Sequence, residues 1–368
     1  MTMFLCVFII SLVIVRLLIA SINYFSFAYL PKVAPLAKEP FVSILIPARN
    51  EEENIGDLLA QLAALEYSAF EIIVYNDHST DQTERIVSHW ATLQPAIKII
   101  NGHTLPQGWL GKNYACHQLA LAATGTILLF LDADVRVGKE LITRSIAHLR
   151  KNELHLLSIF PKQIVKSIGE KVSVPLLNWI LLSLLPLFLV QKWKSGVFSA
   201  ANGQFMMFNT ATYETFWPHE KYKSDGVEDM AIMRLFQQER LASDIRLGDN
   251  DISCRMYDGL DTAIDGFTKS IFQFFGNSKF VTVFFGIITT IGPFLIYTKL
   301  GIWWLAVYLI GMVSVRIFVS LASQQSVVQN LVLAVPQHLV FLVIIIKGLI
   351  TNKQKKLIWK GRNILQDL

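Results

Sequence analysis

The chain has 368 residues, of which 53% are hydrophobic and 17% are charged, and its net charge is +5. This is more apolar and less charged than a typical soluble domain, and the excess lies in the N-terminus and after residue 279, whereas residues 41–160 have charges throughout. One soluble domain with membrane segments therefore fits better than two soluble domains, and the positive charge forms no blocks of the kind that bind nucleic acid.

The first apolar stretch is long enough to cross a bilayer. Residues 3–22 are almost wholly apolar apart from Arg16. A signal peptide would require basic residues before this apolar stretch, and none precedes it. We therefore predict an N-terminal membrane anchor over residues 1–30. A linker over residues 31–40 follows, which is stiffened by Pro31, Pro35 and Pro40.

Residues 41–131 alternate between short apolar runs and segments with helical spacing. The pattern predicts strands at 41–47, 71–75, 97–100 and 126–131, separated by helices at 52–65, 82–92 and 113–123. Such alternation favours an α/β domain with a mostly parallel sheet and helices on its faces. Ligands of such sheets bind beyond the carboxyl ends of the strands, which is where the notable polar residues fall.

Three apolar stretches follow. Residues 172–190 carry no charge, but a crossing there would put the acidic residues before and after it on opposite sides of the membrane, so we predict an interfacial or re-entrant segment. Residues 259–279 have the mixed composition of an amphipathic interfacial helix. Residues 280–349, with apolar runs at about 280–298, 301–321 and 327–346, are predicted to be a C-terminal transmembrane region.

The C-terminus is basic and is predicted to be a cytoplasmic tail over residues 350–368, because translocated segments avoid Lys and Arg. The cations of this region, with no acid among them, are Lys347, Lys353, Lys355, Lys356, Lys360 and Arg362. Three C-terminal spans would place the tail opposite the α/β domain, so the number of spans stays open. The run at 327–346 contains Asn330, Pro336, Gln337 and His338 and is the one we expect not to cross simply.

Two carboxylates follow the fourth predicted strand directly. Asp132 and Asp134, two residues apart, converge on one divalent ion when the backbone turns at the strand end. Mg²⁺ or Mn²⁺ uses few protein oxygens and takes its other ligands from phosphates and water. A metal there neutralises a diphosphate leaving group. Taken alone, the pair also fits two Asp residues that cap the following helix.

Polar loops also follow the first two strands. Residues 47–51 read Pro-Ala-Arg-Asn-Glu, and residues 76–81 read Asn-Asp-His-Ser-Thr-Asp. A nucleotide can lie at these strand ends, where Asp77 can accept hydrogen bonds from a base. Asn, Asp and Ser are equally favoured in turns and at helix caps.

The three motifs together resemble those of the inverting family 2 glycosyltransferases with the GT-A fold. Further segments resemble the carotenoid-type branch of that family, namely GWLGKNYAC at 108–116, RMY at 255–257, GFTK at 266–269 and WKGR at 359–362. The resemblance implies a GT-A catalytic domain over residues 41–258, a UDP-sugar as donor, and Mg²⁺ or Mn²⁺ as cofactor. By the same resemblance the nucleotide pocket contains Pro47, Arg49, Glu51 and Asp77, the main metal ligand is Asp134, and Asp132 contacts the nucleotide as well as the metal.

The remaining site residues are assigned less directly. Glu228-Asp229 resembles the Glu-Asp motif that supplies the catalytic base of the family, and we assign Asp229 as the base and Glu228 as its neighbour that positions it. Which of the two is the base stays open, since acids also favour helix N-termini. Lys112 can pair with the diphosphate as a point charge, or be a solvated residue at a helix start. Arg255 is a candidate for a contact with the diphosphate or the acceptor.

The leading hypothesis is an inverting, metal-dependent transfer of a sugar from a UDP-sugar to a lipid acceptor. The resemblance favours a carotenoid or another terpenoid, at the cytoplasmic face of a bacterial inner membrane with a multi-pass protein. A second hypothesis is a polyprenyl-phosphate, glycerolipid or sphingolipid glycosyltransferase of cell-envelope synthesis. A third, of a different class, is a non-catalytic membrane scaffold. No nucleic-acid partner is expected, and the sequence leaves protein partners, oligomeric state and the donor sugar open.

Overall fold

The computed structural model describes residues 2–26, 29–33, 38–192 and 198–354, together with the short strands 358–359 and 362–363. Parts of the predicted anchor (1, 27–28), the linker (34–37) and the basic tail (355–357, 360–361, 364–368) therefore lie outside the described residues. The chain divides into two compact units. A sheet unit contains Tyr29–Lys162, Leu189–Cys254 and Ile358–Leu368, and a helical unit contains Met1–Ala28, Gln163–Phe188 and Arg255–Leu357.

The strands of the chain are β1 (Val42–Ala48), β2 (Phe70–Asn76), β3 (Ile97–Asn101), β4 (Ile127–Leu131), β5 (Val135–Val137), β6 (Leu156–Phe160), β7 (Lys162–Gln163), β8 (Phe205–Asn209), β9 (Ser243–Leu247), β10 (Ile252–Cys254), β11 (Ile358–Trp359) and β12 (Arg362–Asn363). Within the described residues, the large sheet has seven strands in the order β3-β2-β1-β4-β8-β6-β9. β8 runs antiparallel to both of its neighbours, and the other pairs are parallel. β5 and β10 pair antiparallel outside it.

The helices are α1 (Thr2–Phe25), α2 (Ile55–Ala63), α3 (Thr83–Leu93), α4 (Gly111–Ala122), α5 (Leu141–Lys151), α6 (Ile168–Ser173), α7 (Pro175–Leu184), α8 (Phe188–Lys192), α9 (Thr210–Phe216), α10 (Pro218–Lys221), α11 (Glu228–Gln238), α12 (Leu260–Ser270), α13 (Lys279–Leu300), α14 (Ile302–Ala322), α15 (Val327–Val332) and α16 (Ala334–Gln354). A single 3₁₀ turn at Gln273–Phe275 follows α12 among the described residues. The predicted alternation of strands and helices over 41–131 is confirmed, with shifts of a few residues at the ends of the elements.

The central strands are apolar on both faces, as strands covered by helices on both sides must be. All five residues of β4 are buried, and six of the seven residues of β1 are buried. Parallel pairing brings the carboxyl ends of β1 and β2 level, with Ala48 opposite Asn76. β8 begins beside the end of β4, with Phe205 opposite Leu131. The loops after β1, β2 and β4 and the loop before β8 therefore share one edge of the sheet.

The helical unit contains, among the described residues, four helices that are long and apolar enough to cross a membrane: Thr2–Phe25, Lys279–Leu300, Ile302–Ala322 and Ala334–Thr351. The run predicted at 327–346 is broken at Leu333, where α15 ends and the longer α16 begins. The two parts are therefore one short helix and one that could span. Whether each of the four crosses a bilayer stays a prediction.

The uncharged segment 172–190 is divided among three short helices. α7 has ten residues and is about 15 Å long, roughly half of the apolar thickness of a bilayer. It ends just before Leu185-Pro186, because a residue that precedes proline is disfavoured in a helix. A non-crossing role for this segment, and the interfacial position expected for 259–279, stay predictions.

The division into units differs from the continuous domain 41–258 that the sequence predicts. Residues 163–188 cluster with the helical unit. The reason is burial of apolar surface, since Trp179 shares a hydrophobic core with Phe285 and Phe341. A segment inside the span of the α/β domain thus contributes to the other unit.

A buried glutamate ties three segments of the sheet unit together. Glu71 is 3% exposed and accepts hydrogen bonds from Ser43 (2.7 Å), from Thr124 (2.7 Å to the hydroxyl) and from Lys98 (2.8 Å). Burial alone would raise the pKa of Glu71, but the hydrogen bonds from Lys98, Thr124 and Ser43 lower it to about 2. This ionised carboxylate therefore stabilises the folded sheet unit at neutral pH.

We predict that Glu71→Gln lowers the free energy of unfolding at pH 7 by about 2–3 kcal/mol, because several hydrogen bonds to a charged group are weakened. The pKa of Glu71 is depressed from 4.5 to about 2 on folding. Its contribution is thus complete above about pH 4.5 and disappears as the pH falls towards 2. Thermal unfolding of detergent-solubilised protein at several pH values measures this. Glu66→Gln is the control, because Glu66 is 65% exposed. Equal loss in both variants would contradict the prediction.

Candidate functional site

Lys112 joins two acidic groups at the sheet edge. Its ammonium lies 2.9 Å from Asp132 Oδ1 and 3.0 Å from Asp132 Oδ2, and 3.8 Å from Glu228 Oε1. Lys112 and Glu228 both lie in the first turn of their helices, α4 and α11. The helix dipole disfavours a cation at such a position, so the two carboxylates supply the attraction that holds Lys112 there. Burial alone would lower the pKa of Lys112, but Asp132 and Glu228 raise it, which keeps the ammonium charged.

Asp134 follows Asp132 by two residues in the turn after β4. Burial raises the pKa of its carboxyl group to about 6, and the nearby charges of Asp132 and Glu51 add to the rise. Gln204 Nε2 lies 3.4 Å from both carboxylate oxygens, and Gln204 is 6% exposed. The backbone N–H of Asp132 donates to the carbonyl of Gln204 at 3.2 Å. Gln204, the residue before β8, therefore contacts both ends of the Asp132-Ala133-Asp134 turn.

The Glu228-Asp229 pair opens helix α11. Asp229 accepts backbone hydrogen bonds from Gly203 (2.9 Å) and from Met230 (2.7 Å). Burial raises the pKa of Glu228 to about 7, with Lys112 opposing the rise and Asp229 adding to it. Burial also raises the pKa of Asp229. Glu228 thus titrates close to neutral pH, and the charge of Asp229 disfavours its ionisation.

Three residues of the site were missed by sequence reasoning. Asn113, which is 1% exposed, donates to the carbonyls of Tyr222 (2.8 Å) and Asp225 (3.0 Å) and so holds the loop that leads into Glu228. Gly203 contacts Asp229, and Gln204 contacts Asp134. In the sequence, Asn113 follows Lys112 in the segment GWLGKNYAC, and Asn-Gly-Gln before an apolar strand is a turn signal. These patterns predict loops, but they do not predict which residues the loops contact.

The predicted nucleotide-pocket residues lie side by side after β1 and β2. Arg49 Nη1 donates to the carbonyl of Asp77 at 2.8 Å and lies 3.7 Å from Asp77 Oδ2. The backbone N–H of Glu51 donates to Thr83 at 2.8 Å. Pro47 is the penultimate residue of β1. The structure therefore brings Pro47, Arg49, Glu51 and Asp77 to the sheet edge that carries Asp132.

A polar cleft lies beside this group, at the ends of β2 and β3. Its volume is about 420 Å³, and its lining includes Asn76, His78, Glu84 and Asn101. Asn76 Nδ2 donates to Asn101 Oδ1 at 3.0 Å, which joins the two strand ends. Hydrogen-bonding groups of both kinds face this cleft.

Arg255 belongs to the helical unit. Its guanidinium donates to Glu170 at 2.7 Å, and Glu170 also forms a capping box with Ser167 at the start of α6. The structure therefore gives Arg255 a partner in its own unit, and its predicted contact with a diphosphate or an acceptor stays a prediction.

The donor atoms at Asp132 and Asp134 fit a hard divalent cation, because carboxylate oxygens are the ligands that Mg²⁺ and Mn²⁺ prefer. Burial raises the pKa of Asp134, and the negative charges of Asp132 and Glu51 add to the rise, so a bound cation would relieve repulsion among these carboxylates. In the part of the chain that the structure describes, no group of three or more His, Cys, Asp or Glu side chains is arranged to hold a metal. A metal ion held here would take one or two carboxylates from the protein, and its other positions would be left to phosphates and water.

The comparisons with known proteins agree with this geometry. The family model described as glycosyl transferase family 2 matches residues 43–223. Residues 43–223 therefore form a glycosyltransferase family 2 domain. The chain is 30% identical over 234 residues to the 4,4'-diaponeurosporenoate glycosyltransferase of Staphylococcus haemolyticus, covering 62% of this chain and 60% of that one. It is 28% identical over 243 residues to the protein of the same name from Staphylococcus aureus, covering 65% and 62%.

These matches confirm the resemblance to the carotenoid-type branch of the family, although the chain spans only about three fifths of the length of these curated relatives. A solved structure supports the fold. A mannosyltransferase from Pyrobaculum calidifontis, in complex with GDP-Man and Mn²⁺, has a TM-score of 0.56 and 16% identity, over 96% of this chain and 99% of that one. The predicted α/β fold of GT-A type is therefore confirmed.

We predict that Lys112→Gln lowers the stability of the sheet unit by about 2 kcal/mol at pH 8, because Asp132 and Glu228 lose their cation. The loss shrinks at pH 6. Without Lys112 the pKa of Glu228 rises further above its value of about 7, so the folded state takes up protons and the repulsion is relieved. Thermal unfolding at the two pH values measures this.

The matched control is Lys139→Gln, because Lys139 is 66% exposed and lies 3.9 Å from Glu66. Surface pairs of this kind contribute little. A loss in Lys112→Gln that does not change between pH 8 and pH 6 would show that its carboxylates do not carry the effect.

Proposed function

We propose that this family 2 chain transfers a sugar from a nucleotide-sugar, with a UDP-sugar as the leading donor, to a lipid acceptor, with inversion at the anomeric carbon. The observation that carries the proposal is the position of Lys112 between Asp132 on the strand side and Glu228 on the α11 side. It brings the groups proposed to bind the diphosphate, Lys112 and Asp132, into one site with the carboxylates proposed to supply the catalytic base, Glu228 and Asp229. These are the two functions that sugar transfer needs.

On the donor side, Arg49 and Asp77 receive the nucleotide, with Pro47 and Glu51 beside them. Asp134 and Asp132 would hold a divalent ion, which would supply positive charge to neutralise the departing diphosphate. Lys112 adds a point charge to the same group. Asn113 and Gln204 hold the loops that position these side chains.

On the acceptor side, the hydroxyl oxygen forms a bond to the anomeric carbon while the bond from that carbon to the diphosphate oxygen breaks. Asp229 takes the hydroxyl proton, and Glu228 holds a second negative charge beside it. Burial raises the pKa of both carboxyl groups, which makes each carboxylate a stronger proton acceptor. A single displacement of this kind inverts the anomeric configuration. An acceptor carboxylate would need no such base.

The lipid acceptor is supported by the four apolar helices of the helical unit. The name of the relatives, 4,4'-diaponeurosporenoate glycosyltransferase, favours a carotenoid or another terpenoid. We place the protein in a bacterial cytoplasmic membrane with its active site at the cytoplasmic face. The presence of Asp132, Asp134, Glu228 and Asp229 in one site favours an enzyme over a scaffold.

We predict that Asp134→Asn lowers sugar transfer by about 100-fold or more, because charge stabilisation by a metal contributes several kcal/mol to such reactions. Asp57→Asn is the control, because Asp57 is 70% exposed. Transfer from radiolabelled UDP-sugars into a lipid extract, and Mn²⁺ binding followed by electron paramagnetic resonance, are measured in parallel. Full activity in Asp134→Asn would refute the metal assignment.

We predict that Asp229→Asn lowers kcat by about 10²–10⁴-fold, because the proton acceptor is lost. Glu228→Gln retains more activity. In the wild type, transfer falls at low pH as Asp229 becomes protonated, and its raised pKa places this fall above the usual range for an aspartate. Glu228→Gln moves this limb to lower pH, because Asp229 loses a like charge beside it. The pH profile of kcat/KM measures both effects, and the reverse ranking of the variants would assign the base to Glu228.

A further inference from the structure

Two arginines lie inside the apolar helices of the helical unit. Arg16 of α1 is 1% exposed and Arg316 of α14 is 8% exposed. Each lies in the C-terminal half of a helix that is long and apolar enough to cross a membrane. Charged residues at such positions are costly, and they usually mark a binding site or a pathway for charge.

Both guanidiniums have neutral partners. Arg16 donates to the hydroxyl of Ser183 from Nε (3.1 Å) and from Nη2 (2.8 Å). Arg316 donates to Gln337 Oε1 at 2.5 Å and to the carbonyls of Asn330 (3.3 Å) and Ala334 (3.2 Å). Among the residues that the structure describes, neither arginine forms an ion pair.

One indole ring contacts both charges. The guanidinium carbon of Arg16 lies 4.4 Å from the centre of the Trp179 ring, and that of Arg316 lies 5.5 Å from it. The indole face attracts both cations, but it does not neutralise them, and the two charges repel each other. Trp179 is 3% exposed, and its indole N–H has no hydrogen-bond partner among the described residues.

A purely structural role explains only part of this arrangement. Arg16 links α1 to α7 through Ser183, but Asn23 already links the same helices, since it donates to the carbonyls of Leu182 (2.9 Å) and Leu185 (2.8 Å). A neutral side chain thus already links these two helices. Two adjacent positive charges and an indole donor instead match a carboxylate or a phosphate, which accepts several charged hydrogen bonds at once.

We propose that Arg16, Arg316 and Trp179 form a binding site for the anionic group of a lipid, a carboxylate or a phosphate. The anion accepts hydrogen bonds from the two guanidiniums and from the indole N–H at the edge of the ring, and it compensates both charges. The lipid chain lies along the apolar helices around it. The site is separate from the sugar-transfer site and does not depend on the proposed function, because it is defined within the helical unit.

Binding to purified, delipidated full-length protein in a neutral detergent tests the proposal. Two matched pairs of probes are compared: oleic acid with oleyl alcohol, and dioleoylphosphatidylglycerol with dioleoylglycerol. We expect at least one anionic probe to bind about tenfold or more tightly than its neutral partner, as charged hydrogen bonds in a buried site imply. Preference in the first pair alone identifies a carboxylate lipid, and preference in the second alone identifies a phospholipid headgroup.

Variants locate the site. Arg16→Gln and Arg316→Gln are expected to abolish the preference for the anionic probe, whereas Arg316→Lys, which keeps the charge, retains it. Lys299→Gln is the control, since Lys299 is an exposed cation in the last turn of α13. Equal binding of charged and neutral probes by the wild-type protein overturns the proposal, even if a Gln variant does not fold. An undiminished preference in folded Arg16→Gln also overturns it.

Discussion

The ammonium group of Lys112 holds together two acidic residues of the candidate site. Asp132 comes from the end of β4, and Glu228 from the start of α11, and Lys112 lies between them. Like charges brought together in a buried site raise each other's pKa and destabilise the fold. Lys112 offsets this for both groups at once. Its position at the start of α4, where the helix dipole opposes a cation, shows that the carboxylates dominate the local electrostatics.

The loops that carry the acidic residues depend on hydrogen bonds from the same region. Asn113, next to Lys112, holds the carbonyls of Tyr222 and Asp225, and Asp229 holds the backbone of Gly203. A Cβ atom on Gly203 would lie 3.2 Å from the Lys112 ammonium. The chain therefore passes the ammonium at a point where only a hydrogen atom fits easily. In the proposed function, an arriving diphosphate competes with Asp132 for Lys112, so donor binding acts on groups that also position Glu228 and Asp229.

The sequence predicts the sheet better than it predicts the loops. The strands near 41–47 and 126–131 are uninterrupted apolar runs, and burial on both faces requires that pattern. Asp132, Asp134, Glu228 and Asp229 were found because they belong to motifs. Asn113 and Gln204 were missed as site residues because their partners lie far along the chain, with separations of 109 and 70 residues for the contacts to Tyr222 and Asp134. Side-chain contacts of that range leave no periodic signal in the sequence.

The segment 172–190 shows a different limit of sequence reasoning. Hydropathy and length treat it as one apolar run, but its ends are set by specific contacts. Pro186 disfavours a helical Leu185, and Asn23 of α1 accepts the N–H of Leu187 at 2.9 Å and donates to the carbonyls of Leu182 and Leu185. One amide side chain thus satisfies the backbone groups that the break exposes, which an apolar environment would otherwise leave unpaired at high cost. The break after α7 therefore accounts for the polar residue Asn23 in the apolar helix α1. A hydropathy profile averages over many residues and therefore shows neither the break nor the role of Asn23.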